Sequence, residues 1–160
     1  MIEFSIQRTT LLAIGTVSVI MLFSSLFPTT SNYSERLVFA ETISCDSAIN
    51  PCVGTSEDDR MNGDNGINIM RGGAGNDVMN GKGINDDIFG EEGNDKIDGG
   101  PGHDEIDAGS GNDEIIGGSG PDFLEGREGA DSFNCGSGED GVDDFHPEEG
   151  DTKTKDCEFF

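Results

Sequence analysis

An acidic side chain returns every ninth residue from Asp59 to Asp140: Asp59, Asp77, Asp86, Asp95, Asp104, Asp113, Asp122, Asp131 and Asp140, with Asn68 filling the remaining place. Carboxylate oxygens are the hard donors that Ca2+ prefers. Two residues before each acid stands a Gly, except at Glu57 and Ile84, and five residues before it a second Gly, except at Ala108 and Cys135. Recurrent Gly marks backbone angles or close approaches that a Cβ would obstruct. Such a turn concentrates carbonyl oxygens beside one carboxylate, and that donor set suits calcium. One turn holds too few ligands; two adjacent turns together hold enough.

Other chemistries find little support. His103 and His146 lie far apart and lack ligand spacing, and the acid pairs Asp86-Asp87 and Asp143-Asp144 read as solvated charge in so acidic a chain. The sequence holds no H-E-x-x-H, no G-x-S-x-G and no 12-residue EF-hand loop, so no metalloprotease, serine-hydrolase or EF-hand site is visible.

The element that positions the acids shows in the same period. Ten gapless nine-residue blocks start at Gly54, Gly63, Gly72, Gly81, Gly90, Gly99, Ala108, Gly117, Gly126 and Cys135, with the acid sixth. The eighth positions are Met61, Met70, Met79, Ile88, Ile97, Ile106, Ile115, Leu124, Phe133 and Val142. All are apolar, which chance would give with a probability on the order of 10⁻⁵ in a chain about one-third hydrophobic. Mostly polar seventh and ninth positions make this an out-in-out strand of three residues with one buried side chain, preceded by a six-residue turn.

The blocks resemble the RTX, or hemolysin-type, calcium-binding nonapeptide G-G-x-G-x-D-x-U-x, as in GGAGNDVMN (72–80), GEEGNDKID (90–98) and GGPGHDEID (99–107). The resemblance covers residues 54 to 143. It implies an all-β fold, a parallel β-roll (a β-helix solenoid) in which two blocks make one coil and Ca2+ is held between successive turns. One flank would then carry Asp59, Asp77, Asp95, Asp113 and Asp131, and the other Asn68, Asp86, Asp104, Asp122 and Asp140. One sheet would bury Met61, Met79, Ile97, Ile115 and Phe133 against Met70, Ile88, Ile106, Leu124 and Val142 of the other. The implied metal ligands are the nine Asp. Glu57, Ile67 and Asn68 make the first two blocks the poorest, as in an end cap, and Ile84 interrupts the block that carries Asp86.

Composition bears on partners. The 160 residues carry a net charge of −24, so nucleic acid and anionic membrane surfaces would be repelled. Ten modest core side chains cannot offset the ordering of some 90 residues and the repulsion between stacked carboxylates. The expectation is an unfolded metal-free chain that folds when calcium binds.

Residues 1–40 read as an export signal. An uncharged stretch from Thr9 to Phe27 follows Arg8, and Val38-Phe39-Ala40 suits cleavage after Ala40. The alternative is an uncleaved anchor formed by residues 9–27, on the outer face of the membrane. Either way the repeats lie outside the cytoplasm, and Cys45, Cys52, Cys135 and Cys157 suit an oxidising compartment. On the implied coil, five coils at about 4.8 Å make a rod near 24 Å, which parts Cys52 from Cys135. Of the three possible connectivities, this favours Cys45–Cys52 with Cys135–Cys157.

The organisation expected is a signal or anchor (1–40), an N-terminal cap or linker (41–53), the repeats (54–143) and a C-terminal cap (144–160) whose Phe145, Phe159 and Phe160 cover the open end. The function expected is that of a secreted, non-catalytic calcium-binding protein. The alternatives are a cell-surface structural or adhesive module stiffened by calcium, and a calcium-dependent secreted hydrolase.

Overall fold

The computed structural model describes residues 41–159 other than Ile49. The signal and anchor expectations for residues 1–40, and Phe160 of the C-terminal cover, lie outside the described residues.

Every regular element among the described residues is a strand. In chain order they are β1 (Glu41–Ser44), β2 (Cys52–Val53), β3 (Asp59–Asn62), β4 (Ile69–Ala74), β5 (Val78–Asn80), β6 (Asp87–Glu92), β7 (Lys96–Pro101), β8 (Glu105–Ser110), β9 (Glu114–Ser119), β10 (Phe123–Glu128), β11 (Ser132–Ser137), β12 (Gly141–Val142), β13 (Thr152–Lys153) and β14 (Glu158–Phe159). The chain deals them alternately into two seven-stranded parallel sheets, β1-β3-β5-β7-β9-β11-β13 and β2-β4-β6-β8-β10-β12-β14. Ile97 of β7 pairs with Ile115 of β9, and Ile88 of β6 with Ile106 of β8, so partners stand 18 residues, two blocks, apart. That offset is the coil of a parallel β-roll.

The core is the space between the sheets. Met61, Met79, Ile97, Ile115 and Phe133 enter from one side and Met70, Ile88, Ile106, Leu124 and Val142 from the other, each at most 1% exposed. The strands are longer than the out-in-out triplet of the sequence reading. β8 runs six residues and buries both Ile106 and Ala108. Its inward period of two continues through the first position of the next block, which hydropathy cannot show because that position is held to Gly, Ala or Cys. The reason is steric. A Cβ on Gly99 would stand 2.7 Å from both Asp104 Oδ2 and the Gly117 carbonyl oxygen.

Both ends continue the roll. β1 pairs with β3 and β2 with β4, so Cys52 takes an eighth position opposite Met70. At the other end β13 pairs with β11 and β14 with β12. Phe145 meets Phe133 edge-on, ring centroids 6.3 Å apart. Disulfides join Cys45 to Cys52 and Cys135 to Cys157, with Cα separations of 5.5 and 5.3 Å. Each binds one end of the stack to its own outer segment.

Candidate metal centre

Strand pairing carries the sixth positions into two columns, one per flank. In the first, the N–H of Asp59 donates to Asp77 Oδ1 (2.7 Å), that of Asp77 to Asp95 Oδ1 (2.8 Å), that of Asp95 to Asp113 Oδ1 (2.8 Å) and that of Asp113 to Asp131 Oδ1 (2.9 Å). The second column runs from the Asn68 N–H to Asp86 Oδ1 (2.7 Å), then through Asp104 (2.8 Å) and Asp122 (2.9 Å) to Asp140 (2.9 Å). The two flanks therefore hold the sets of residues that the sequence reading assigned to them.

Each of these Asp residues is at most 3% exposed. From Asp77 onward Oδ1 is occupied by the coil before, while Oδ2 of Asp77, Asp86, Asp95, Asp104, Asp113, Asp122, Asp131 and Asp140 is buried with no hydrogen-bond partner. Asp59 is reversed. Its Oδ2 accepts the Thr55 N–H (2.7 Å) and hydroxyl (2.9 Å), and its Oδ1 is the unpartnered atom. A buried anionic oxygen without a partner is costly and calls for a cation or donor.

The surroundings fit such a cation. Beside Asp86 Oδ2 the missing side chain of Gly81 leaves a recess, since a Cβ there would lie 2.5 Å from that oxygen and 2.8 Å from the Gly99 carbonyl oxygen. Among the described residues no three His, Cys, Asp or Glu side chains gather at one point. A site here is therefore one carboxylate supplemented by main-chain carbonyls, all hard oxygen, which suits Ca2+.

Electrostatics agree. Burial raises Asp104 and Asp113 to about 7, and Asp77 and Asp122 to about 6, against 3.8 ordinarily; the amide each accepts opposes the rise and the neighbouring column acids add to it. Asp86, Asp95 and Asp131 are raised by the same burial.

Two features escaped the sequence reading. On the first flank the fifth positions form a second ladder of opposite sense. The N–H of Asn76 donates to Asp58 Oδ1 (2.7 Å), that of Asn94 to Asn76 Oδ1 (2.9 Å) and that of Asn112 to Asn94 Oδ1 (2.8 Å). The recurrent Asn-Asp pairs at 76–77, 94–95 and 112–113 were the available signal. The other feature is Asp151, which extends the first column. Its Oδ1 accepts the Asp131 N–H (2.8 Å) and its Oδ2 the His146 N–H (2.7 Å), so it ends the column with no oxygen to spare.

A two-sheet parallel roll with unpartnered carboxylate oxygens stacked along both flanks defines a class, the calcium-binding β-roll. The family model described as RTX calcium-binding nonapeptide repeat (4 copies) matches residues 53–83, 81–115 and 107–142, more than half of the chain, and the chain belongs to that family. Its nonapeptide repeats bind Ca2+, and β-rolls of this family are generally structural rather than catalytic. No curated protein and no solved structure matches the chain.

Proposed function

We propose that this is an exported, non-catalytic calcium-binding protein whose roll assembles as calcium binds. Asp59, Asp77, Asp86, Asp95, Asp104, Asp113, Asp122, Asp131 and Asp140 each contribute one carboxylate oxygen to a site completed by turn carbonyls. The observation that carries the reading is the set of unpartnered, buried oxygens on those nine residues. The neighbouring amide holds the other oxygen of the eight from Asp77 onward, so those carboxylates are oriented by the coil before. At Asp77, Asp86, Asp95, Asp104, Asp122 and Asp131 the first-position Gly keeps hydrocarbon away from the free oxygen. Calcium supplies the positive charge that lets like-signed columns stack. The family's general lack of catalysis supports the non-catalytic part, and the two disulfides support an oxidising destination outside the cytoplasm. The net charge argues against nucleic acid and anionic membranes as partners.

The test is far-UV circular dichroism of residues 41–160, disulfides intact, titrated from excess chelator to millimolar calcium. The expected result is a cooperative gain of β signal. An identical β spectrum in chelator would refute calcium-coupled folding.

A further inference from the structure

Asp59 opens the first column, and its carboxylate is used differently from those that follow. At Asp95 a Cβ on Gly90 would stand 2.5 Å from Oδ2, the unpartnered oxygen, and against the Ala108 carbonyl oxygen of the next coil. At Asp59 the oxygen in that place is again Oδ2, 3.0 Å from a Cβ on Gly54, with the Gly72 carbonyl oxygen alongside. Here it is already taken, by the Thr55 N–H (2.7 Å) and hydroxyl (2.9 Å). The free atom of Asp59 is Oδ1. Further along the column Oδ1 is the oxygen that accepts an amide of the coil before, as Asp77 Oδ1 accepts the Asp59 N–H at 2.7 Å. The missing partner of Asp59 therefore belongs on the N-terminal side of the stack.

Glu41 stands at that place. β1 pairs with β3 in the register of the column, Glu41 against Asp59, 18 residues apart. The main-chain nitrogen of Glu41 thus holds the position from which each sixth residue donates to the Oδ1 of the next coil. Its peptide N–H makes no such bond, since Asp59 Oδ1 has no partner although Asp59 is only 3% exposed. Calcium is ill served on this side as well. A turn in step with the others would use residues 36–41, and residues 36–40 fall within the expected export signal.

Resting on the export and calcium readings above, and narrowing the second at Asp59, we propose that cleavage after Ala40 supplies the terminal cation of this column. Hydrolysis of the Ala40–Glu41 peptide bond consumes one water, leaves a carboxylate on Ala40 and frees the amine of Glu41, which is protonated at neutral pH. The new α-ammonium pairs with Asp59 Oδ1. A peptide N–H offers one donor in a fixed plane, whereas an ammonium offers three on a rotatable bond. The bond it makes to a buried carboxylate is charge-assisted and strong. Asp59 then closes the column as Asp151 does at the far end, where both oxygens are held within the chain. Calcium on this flank begins at Asp77.

Residues 41–160 with disulfides intact test this, the Glu41 amine free or acetylated, in the wild type and in Asp59→Asn. Melting in saturating calcium is followed for all four, and bound ions are counted by native mass spectrometry. Acetylation should lower the wild-type melting temperature by several degrees and leave that of Asp59→Asn unchanged. With a free amine, Asp59→Asn should bind as many ions as the wild type. An equal effect of acetylation in both chains, or an ion lost in Asp59→Asn, overturns the proposal. Should Asp59→Asn not reach the folded far-UV spectrum, the wild type decides through an amine-directed label. Glu41 should react severalfold more slowly in calcium than in chelator, and equal rates overturn the proposal. N-terminal sequencing of the exported protein that finds a start other than Glu41 overturns it too. A wild type that takes up no calcium refutes the parent reading instead, so the two failures are told apart.

Discussion

Asn94 and Asp95 are adjacent in sequence and reach in opposite directions along the stack. Asn94 Oδ1 accepts the N–H of Asn112, one coil later, and Asp95 Oδ1 accepts the N–H of Asp77, one coil earlier, both at 2.8 Å. The pair fastens its coil to both neighbours, and only the Asp retains a spare oxygen. The two residues should therefore fail differently. Asn94→Ala removes two exposed hydrogen bonds, the one its Oδ1 accepts from Asn112 and the one its Nδ2 donates to Asn76, so it should cost about 1–2 kcal/mol and leave the number of bound calcium ions unchanged. Asp95→Asn keeps an acceptor for Asp77 but replaces the spare carboxylate oxygen with a donor. It should lose one ion and shift the calcium midpoint upward. Ion counting beside thermal melts in calcium separates the two effects.

Turn backbones give a prediction of opposite signs. Gly93 has φ 140°, and a Cβ there would run into the Gly75 carbonyl oxygen. Gly93→Ala should therefore prevent folding or cost upwards of about 3 kcal/mol. Glu91, two residues earlier, has φ 78° and spends its side chain on an exposed ion pair with Arg71. Glu91→Gly relieves about 1 kcal/mol of backbone strain and forfeits a pair worth less than that. The melting temperature in saturating calcium should fall for the first variant and rise slightly for the second.

Buried column acids fix the sign of the pH response. Asp104 and Asp113 titrate at about 7 in the folded chain against 3.8 ordinarily. The metal-free fold thus keeps protons that the unfolded chain releases, and its stability is lost as pH rises from about 4 to about 7. In chelator, β signal should grow on acidification from pH 7.5 to 4.5. With calcium present the trend reverses, because binding requires the ionised acid. Calcium affinity should weaken as pH falls below about 6. Circular dichroism across this range, with and without calcium, reads both slopes.

At the C-terminal end, Cys135–Cys157 closes a loop over a sequence separation of 22. Loop-closure entropy for that length is about 3 kcal/mol. Cys135→Ala/Cys157→Ala should lose stability on that scale. Hydrogen exchange should show β13 and β14 opening before β7 to β9, since the central strands are paired on both sides.

The columns and the core were legible in the sequence because Asp77, Asp95 and Asp113, and likewise Ile88 and Ile106, repeat at fixed spacing. The inward first position was not, since residues as small as Gly99 and Ala108 give little hydropathy signal, and at Gly99 the Asp104 carboxylate leaves no room for a side chain. Asp151 was missed because it stands 20 residues from Asp131 instead of 18, two residues out of phase. The coil ending at Cys52 was hidden by Cys45, Asn50 and Pro51, which replace the residues that mark a block elsewhere. Local chemistry diverges at both ends while strand register persists.

Anomalous diffraction at long wavelength from crystals grown in calcium tests the central claim most directly. The account predicts two rows of calcium peaks, one per flank, each within bonding distance of the free carboxylate oxygen of a column acid such as Asp95, Asp104 or Asp113. Calcium found only on exposed acids, with those buried oxygens bare, would contradict it.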